Sequence, residues 1–167
     1  MSEDIYIIDT SSLIEIEPEN YPSDIYVGMW SDIENLVKND RLISHAYVLE
    51  ELRRYEGKKN EILKWAENHK NIFKDATSQQ TKLVQRILAK FPSLIDANGS
   101  VEADPFIIAL ALEKEPQLTL FPSRKIKIIL TEEKLKGNKI RIPFVVKNFG
   151  ISCLNIFDMF RKEEWRW

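Results

Sequence analysis

Four polar interruptions in this chain each carry an acid where an apolar segment stops or starts: Asp9 after IYII, Glu50 and Glu51 before Leu52, Asp104 before PFIIALAL, and Glu132 and Glu133 after KIKIIL and Thr131. Grouped carboxylates repel one another, so a cluster of them is tolerable only if protons or cations offset the charge. A divalent metal does this. Magnesium and manganese prefer oxygen ligands, keep several waters, and rest on one or two carboxylates together with the phosphate oxygens of a substrate. Such an ion turns a bound water into a nucleophile and stabilises charge on a phosphodiester, and paired ions ~4 Å apart hold attacking and leaving oxygens together. The chemistry indicated is phosphodiester hydrolysis. Taken singly, each acid has a plainer reading: Asp9 as the cap of the turn at Ser11, Glu50 and Glu51 as the solvated face of a helix, Asp104 as an N-cap, Glu132 and Glu133 as the start of a surface turn. The chemical reading rests on their joint placement at four separate borders.

For these residues to meet, the elements between them must return the chain repeatedly to one place. Ile5–Ile8 reads as a short buried strand, with Ser11 or Ser12 capping a helix that begins near Leu13. EPENYPSDIYVG is a loop, after which Trp30, Ile33, Leu36 and Val37 recur at helical spacing, and Arg41–Ser44 is a short extended piece. The next helix carries Val48, Leu49, Leu52 and Tyr55, with Gly57 to stop it. Asn60 is expected to cap a helix whose face runs through Ile62, Leu63, Trp65, Ala66, Ile72 and Phe73. Another starts near Ser78 with Leu83, Val84, Ile87, Leu88 and Phe91 on its inner side, and the two, over about 60–91, read as a helical hairpin.

Asp104 as N-cap and Pro105 at the first helical position open a helix that is apolar nearly all round, and therefore central. Lys125–Leu130 reads as a strand. A basic patch and Pro143 lead into a short helix that Gly150 stops, ISCL is a last strand, and NIFDMFRKE is a last helix. The alternation of strand and helix predicts an α/β protein, a three-layer α/β/α sandwich with a largely parallel central sheet, in a single domain over 1–167. In such a sheet the carboxyl ends of the strands share one edge, and ligands bind in the crevice there.

Composition narrows the function. Hydrophobic residues at 44% and charged residues at 30% fit a globular protein, and no apolar stretch is long enough to span a bilayer. The start, Met-Ser-Glu-Asp, lacks a basic region followed by an apolar one, so the expected location is the cytoplasm. A net charge of −2 excludes a chain that coats nucleic acid by bulk electrostatics, which makes any such contact local. The single cysteine, Cys153, lies in what reads as a buried strand, where a thiol is inert packing. His45 and His69 lie on different elements without ligand spacing.

The segments IIDTSSLIEI, ISHAYVLEEL, EADPFIIALA and IILTEEK, in that order, resemble the PIN-domain nucleases across most of the chain. The similarity is closer to a branch marked here by GMW ending at Met29 and Trp30, by Glu51–Leu52 followed by Trp65, by Ala103–Phe106, and by Ile142–Pro143 followed by Phe157, Met159 and Arg161. The resemblance implies an α/β/α sandwich whose acids gather around Mg²⁺ or Mn²⁺. It implies a ribonuclease acting on RNA, the VapC-like toxin of a type II toxin–antitoxin pair, with an antitoxin partner and a homodimeric state.

By the same resemblance the catalytic, metal-holding residues are Asp9, with Ser11 as the hydroxyl two positions on; Glu51, with Glu50 as the alternative; Asp104; and Glu133, two beyond Thr131, with Glu132 as the alternative. Two positions depart from the pattern: Ser11 and Phe144 stand where relatives commonly carry asparagine, and a serine can donate a hydrogen bond where Phe144 cannot. Two other readings compete, a PIN-like module with a degraded site that binds RNA or protein, and a structure-selective DNA nuclease.

Guidance for an anionic strand could come from Arg53, Arg54, Lys58 and Lys59, or from Arg124, Lys125, Lys134, Lys136, Lys139 and Arg141. Most of these are a solvated face. Arg53 and Lys134 are the choices for nucleic-acid binding because they lie nearest in sequence to proposed ligands. Tyr21 and Tyr26 could stack on unpaired bases, whereas Trp30 reads as core. The closing RKEEWRW either folds back on the domain or forms a protein-contact strip.

Overall fold

The structure, a computed structural model, describes residues 3–55, 60–95, 102–114, 125–135 and 140–167. Ile5–Ile8 (β1), buried at all four positions, is the middle strand of a five-stranded sheet of order β3-β2-β1-β4-β5. Its neighbours are β2 (Leu42–His45) and β4 (Lys127–Leu130), and the edges are β3 (Phe73–Lys74) and β5 (Ser152–Leu154). Every pairing is parallel.

From β1 the chain moves outward to β2 and β3 by way of α1 (Thr10–Glu15), α2 (Val27–Lys38), α3 (Ala46–Arg54) and α4 (Glu61–Asn68). It returns through α5 (Ser78–Lys90) and α6 (Asp104–Leu112) to β4 on the far side of β1, then runs through α7 (Ile142–Phe149) to β5 and α8 (Ile156–Lys162). Crossovers between parallel strands are right-handed, so the outward and return legs cover opposite faces of the sheet. A strand like β1, apolar on both sides, requires that double cover. The result is the expected three-layer α/β sandwich. Strand order reverses between β1 and β4, and the crevice opened by such a reversal lies beyond the carboxyl ends of those two strands.

Helix α6 sits at the centre of the return leg, with Pro105 and Ile107–Leu110 buried against the sheet and α5 packed along it. Its far end is held by Lys127 of β4, whose Nζ donates to the carbonyls of Leu110 and Glu113 at 3.2 and 2.9 Å. A cation there satisfies carbonyls that the ended helix leaves open and complements the helix dipole. His45 fixes the end of β2. Its Nδ1 accepts the Tyr47 N–H that α3 leaves open, which places the ring proton on Nε2, facing Gln80 Oε1 at 2.9 Å. Gln80 passes the chain on to Glu113 at 2.8 Å. No described helix is long and apolar enough to cross a membrane.

Several local expectations are corrected. The first helix begins at Thr10 and its cap is Asp9, not Ser11 or Ser12. Gly28 lies inside α2, where the indole of Trp167 fills the space a Cβ would need, with Cδ1 2.2 Å from the Cβ position. Asn60 occupies the cap position of α4 in the left-handed region without a side-chain cap bond. The run through Ile72 and Phe73 is not one helix: α4 stops at Asn68, Lys70–Ile72 is a 3₁₀ turn, and Phe73 enters β3. With that strand between them, α4 packs on α3 and α5 on α6 instead of forming a hairpin. The N-cap of α6 is Ala103, and Asp104 is its first residue. Cys153 is half-buried on the edge strand. Gly57, Lys58, Lys59, Arg124, Lys136 and Lys139 lie outside the described residues.

The last residues fold back. Trp165 stacks on Phe160 at 5.3 Å, and Trp167 Nε1 donates to Asp32 at 2.9 Å. At the end of the sheet opposite the crevice, Glu163 accepts from both terminal nitrogens of Arg41, at 2.6 and 3.1 Å, and from the hydroxyl of fully buried Tyr6. The Glu163 side chain is only 8% exposed and that of Arg41 19%. Removing the Glu163 carboxylate leaves the terminal nitrogens of the largely buried Arg41 without their acceptor, with the Nε bond to the Asp4 carbonyl at 3.0 Å remaining. Glu163→Ala should therefore cost about 3 kcal/mol in urea unfolding, with the Arg41→Met/Glu163→Leu pair recovering only part of it, because the buried Tyr6 hydroxyl still lacks its acceptor. A single-variant loss under about 1 kcal/mol would mark the pair as solvent-screened.

Candidate functional site

β1 ends where its sequence turns polar, and the residues past the ends of β1 and β4 are stitched together. The strands pair as far as Ile8 and Leu130. Beyond them Asp9, 4% exposed, turns an extended backbone into the start of α1, and its Oδ1 accepts the Ser12 N–H at 3.0 Å and the Ser11 hydroxyl at 2.8 Å. Ser11 Oγ also accepts the Glu132 N–H at 3.0 Å and lies 3.4 Å from Thr131 Oγ1. The supporting hydroxyls expected at Ser11 and Thr131 are thus both beside Asp9. Burial pushes the Asp9 carboxyl up to about 6; the Thr131 hydroxyl, the Ser12 N–H and the Ser11 hydroxyl pull it down, and the charge of Glu133 adds to the rise.

Asp104 opens α6 and stands in the field of other acids. Burial and then the charges of Glu133, Asp9, Glu51 and Glu102 push its carboxyl up to about 8 from an ordinary 3.8. Glu51 is fixed at both oxygens, Oε2 by the Thr10 hydroxyl and Oε1 by the Ala103 N–H at 2.9 Å, which ties α3 to the starts of α1 and α6. Its neighbour Glu50 is turned out, 56% exposed and paired with Arg53 at 2.7 Å. Arg53 is also held by Glu67 at 2.8 Å, so both of its acid contacts lie away from the site.

Of the second ambiguous pair, Glu133 bears on both aspartates. Its Oε2 accepts the Ile142 N–H at 3.1 Å and its Oε1 faces Arg141 at 3.4 Å. Glu132 serves the scaffold, with Oε1 accepting from the Ser12 hydroxyl at 3.1 Å and from the Ile156 N–H at 2.9 Å, joining α1 to α8. Lys134 is exposed, with no acid in ion-pair contact among the described residues. Trp30 is core, its Nε1 donating to the Tyr21 carbonyl at 2.8 Å, and Tyr26 meets Tyr21 edge-on. Phe144 packs edge-on against Phe91.

Sequence reasoning missed Glu102, Thr10 and Ser12. Glu102 had a signal, since it lies two residues before Asp104. The hydroxyls of Thr10 and Ser12 had none, because their partners are 41 and 120 positions away.

In these side-chain conformations no three Asp, Glu, His or Cys residues among those described stand close enough to hold one ion between them. The donor set nevertheless suits a hard divalent cation. It is all oxygen, and the neighbours that act most strongly on Asp104 are acids, which a cation would offset.

The family model described as "Domain of unknown function (DUF4411)" matches residues 6–167. The chain belongs to the DUF4411 family. No curated protein matches it. Among solved structures, this DUF4411 chain is similar to one described as the crystal structure of VapBC2 from Rickettsia felis bound to a DNA fragment from their promoter. The match has 15% identity and a TM-score of 0.48, and covers 90% of this chain and 98% of the other.

The acid cluster has a consequence for stability. With a folded value of about 8 against 3.8, Asp104 keeps a proton in the folded state that the unfolded chain has released. Stability therefore falls as pH rises through that window. In metal-free buffer Asp104→Asn should melt level with the parent below about pH 4 and a few degrees above it at pH 8. A melting difference independent of pH would refute this account of Asp104.

Proposed function

We propose that this DUF4411 protein is a magnesium- or manganese-dependent nuclease that hydrolyses RNA phosphodiester bonds. What supports the reading is the setting of Asp104 at the start of α6: burial first, and then the charges of Glu133, Asp9 and Glu51, push its carboxyl up. A cation there relieves that repulsion, and the crevice beyond β1 and β4 is where this type of sheet receives a ligand.

In this reading Asp9 and Asp104 hold the ion directly, and Glu51 and Glu133 complete the negative wall. A bound ion supplies an acidified water and charge stabilisation at the phosphodiester. The chain's own residues supply placement. Ser11 and the Ser12 N–H set the Asp9 carboxylate, Thr10 and the Ala103 N–H set Glu51, and the Ile142 N–H sets Glu133. The sequence resemblance to PIN-domain nucleases supports the choice of RNA, and it is the basis for proposing a toxin of a type II pair with an antitoxin partner and a homodimeric state.

Asp9→Asn and Asp104→Asn should each lower Mn²⁺-supported RNA cleavage at least ~100-fold, and relieve any growth arrest, while melting no lower than the parent. Parental cleavage by both variants would end the assignment. Offering RNA and DNA with the same metal separates this reading from a structure-selective DNA nuclease.

One observation favours a second reading, a module that binds RNA or protein without cleaving. Glu51 and Glu133 each have both carboxylate oxygens already engaged. Under it, calorimetry with Mn²⁺ shows no binding tighter than millimolar, whereas the nuclease reading requires tighter binding that Asp104→Asn abolishes.

A further inference from the structure

Ion pairs among the described residues leave the acids of the site almost untouched. Arg41 is committed to Glu163, Arg53 to Glu50 and Glu67, Lys70 to Glu67, Arg161 to Asp158 and Lys162 to Asp4. Among the described residues, Arg141 alone is in ion-pair contact with one of the four site acids, reaching Glu133. That contact is unlike the others. At 3.4 Å it is the longest of the ion pairs described, and the Arg141 side chain is 57% exposed. Glu133 does not depend on it, because the shorter bond from the Ile142 N–H fixes the other carboxylate oxygen. Arg141 is therefore a cation at the rim of a negative site, attached by an exposed contact that solvent screens. Its backbone is fixed, extended at the residue that precedes α7.

We propose that Arg141 is the residue through which the site binds the phosphodiester backbone of a nucleic-acid strand, exchanging Glu133 for a phosphate when the strand enters. The inference rests on the nuclease reading and names a contact that the reading lacks. A strand approaching a cluster of carboxylates meets repulsion, and a net charge of −2 supplies no general attraction. A guanidinium at the rim offsets that locally, and its planar fork matches two phosphate oxygens at once. Arg53, the nearer residue in sequence to a site acid, is held between two glutamates and is not available in this way. The ligand class is a single-stranded polyanion, read through its backbone and not through its bases.

The test uses fluorescence anisotropy of short fluorescein-labelled single-stranded RNA and the matching DNA over a series of salt concentrations, with calcium replacing magnesium to hold back cleavage. Arg141→Gln should weaken binding about tenfold and lower the slope of log affinity against log salt by about one phosphate contact. Arg141→Lys should keep the slope and recover only part of the affinity, since the point charge remains and the fork is lost. Lys70→Gln, an exposed cation remote from the site, should match the parent.

Cleavage by the parent with Mn²⁺ is measured alongside. If the parent cleaves RNA and Arg141→Gln binds with parental affinity and slope, the inference is overturned and the nuclease reading stands. If binding depends on Arg141 and the parent cleaves nothing, the strand contact stands and the nuclease reading falls. If the parent binds neither strand, both fall.

Discussion

Repulsion among carboxylates at the reversal between β1 and β4 is the constraint that the rest of the structure answers. The answer is repeated at each acid. Asp9 takes the Ser12 N–H of α1, Glu51 the Ala103 N–H at the start of α6, Glu133 the Ile142 N–H of α7 and Glu132 the Ile156 N–H of α8. Helix starts present open N–H groups and a positive dipole end, and both favour a carboxylate. Helices that follow parallel strands begin at the carboxyl edge of the sheet, so the fold delivers those starts to the place where the acids are. Asp104, as the first residue of α6, gains from the same dipole, but its strongest neighbours are other acids.

The scaffold and the site are therefore one arrangement. Glu132 and Glu51 are ties between helices as much as sources of charge, the first joining α1 to α8 and the second joining α3 to α1 and α6. A substitution at either moves the walls of the site along with its field. Asp104 and Asp9 differ in this respect: Asp9 bonds the turn it caps and the Thr131 hydroxyl without joining two helices, and Asp104 has no side-chain bond in the scaffold among the described residues, so their charge can be removed with less disturbance.

The sandwich was legible because its central members are unambiguous. IYII and KIIL are short apolar runs with polar lips, and FIIALAL is a helix with no solvent face. β3 was hidden for a physical reason. It has two residues, and Ile72 and Phe73 fall at spacings that continue the apolar face of α4 across the break at His69. The placement of Asp9 and Asp104 at element borders followed from the apolar runs beside them, and the naming of Ser11 and Thr131 from the family resemblance. The choice within each glutamate pair did not. It depends on Thr10, Ala103 and Ile142, which local periodicity cannot see. On the basic side, nearness along the chain could not show that Arg53 lies between Glu50 and Glu67 or that Arg141 reaches Glu133.

The Glu163 contacts carry a consequence for the order of assembly. Tyr6 belongs to the middle strand, yet its hydroxyl is satisfied by a residue 157 positions later, and Arg41, at the threshold of β2, depends on the same carboxylate across 122. Pairings of such separation require closure of long loops before they contribute, and they form slowly. During synthesis the phenol of Tyr6 and the terminal nitrogens of Arg41 lack this acceptor until Glu163 is made, so the innermost strand is completed by a segment made after all five described strands.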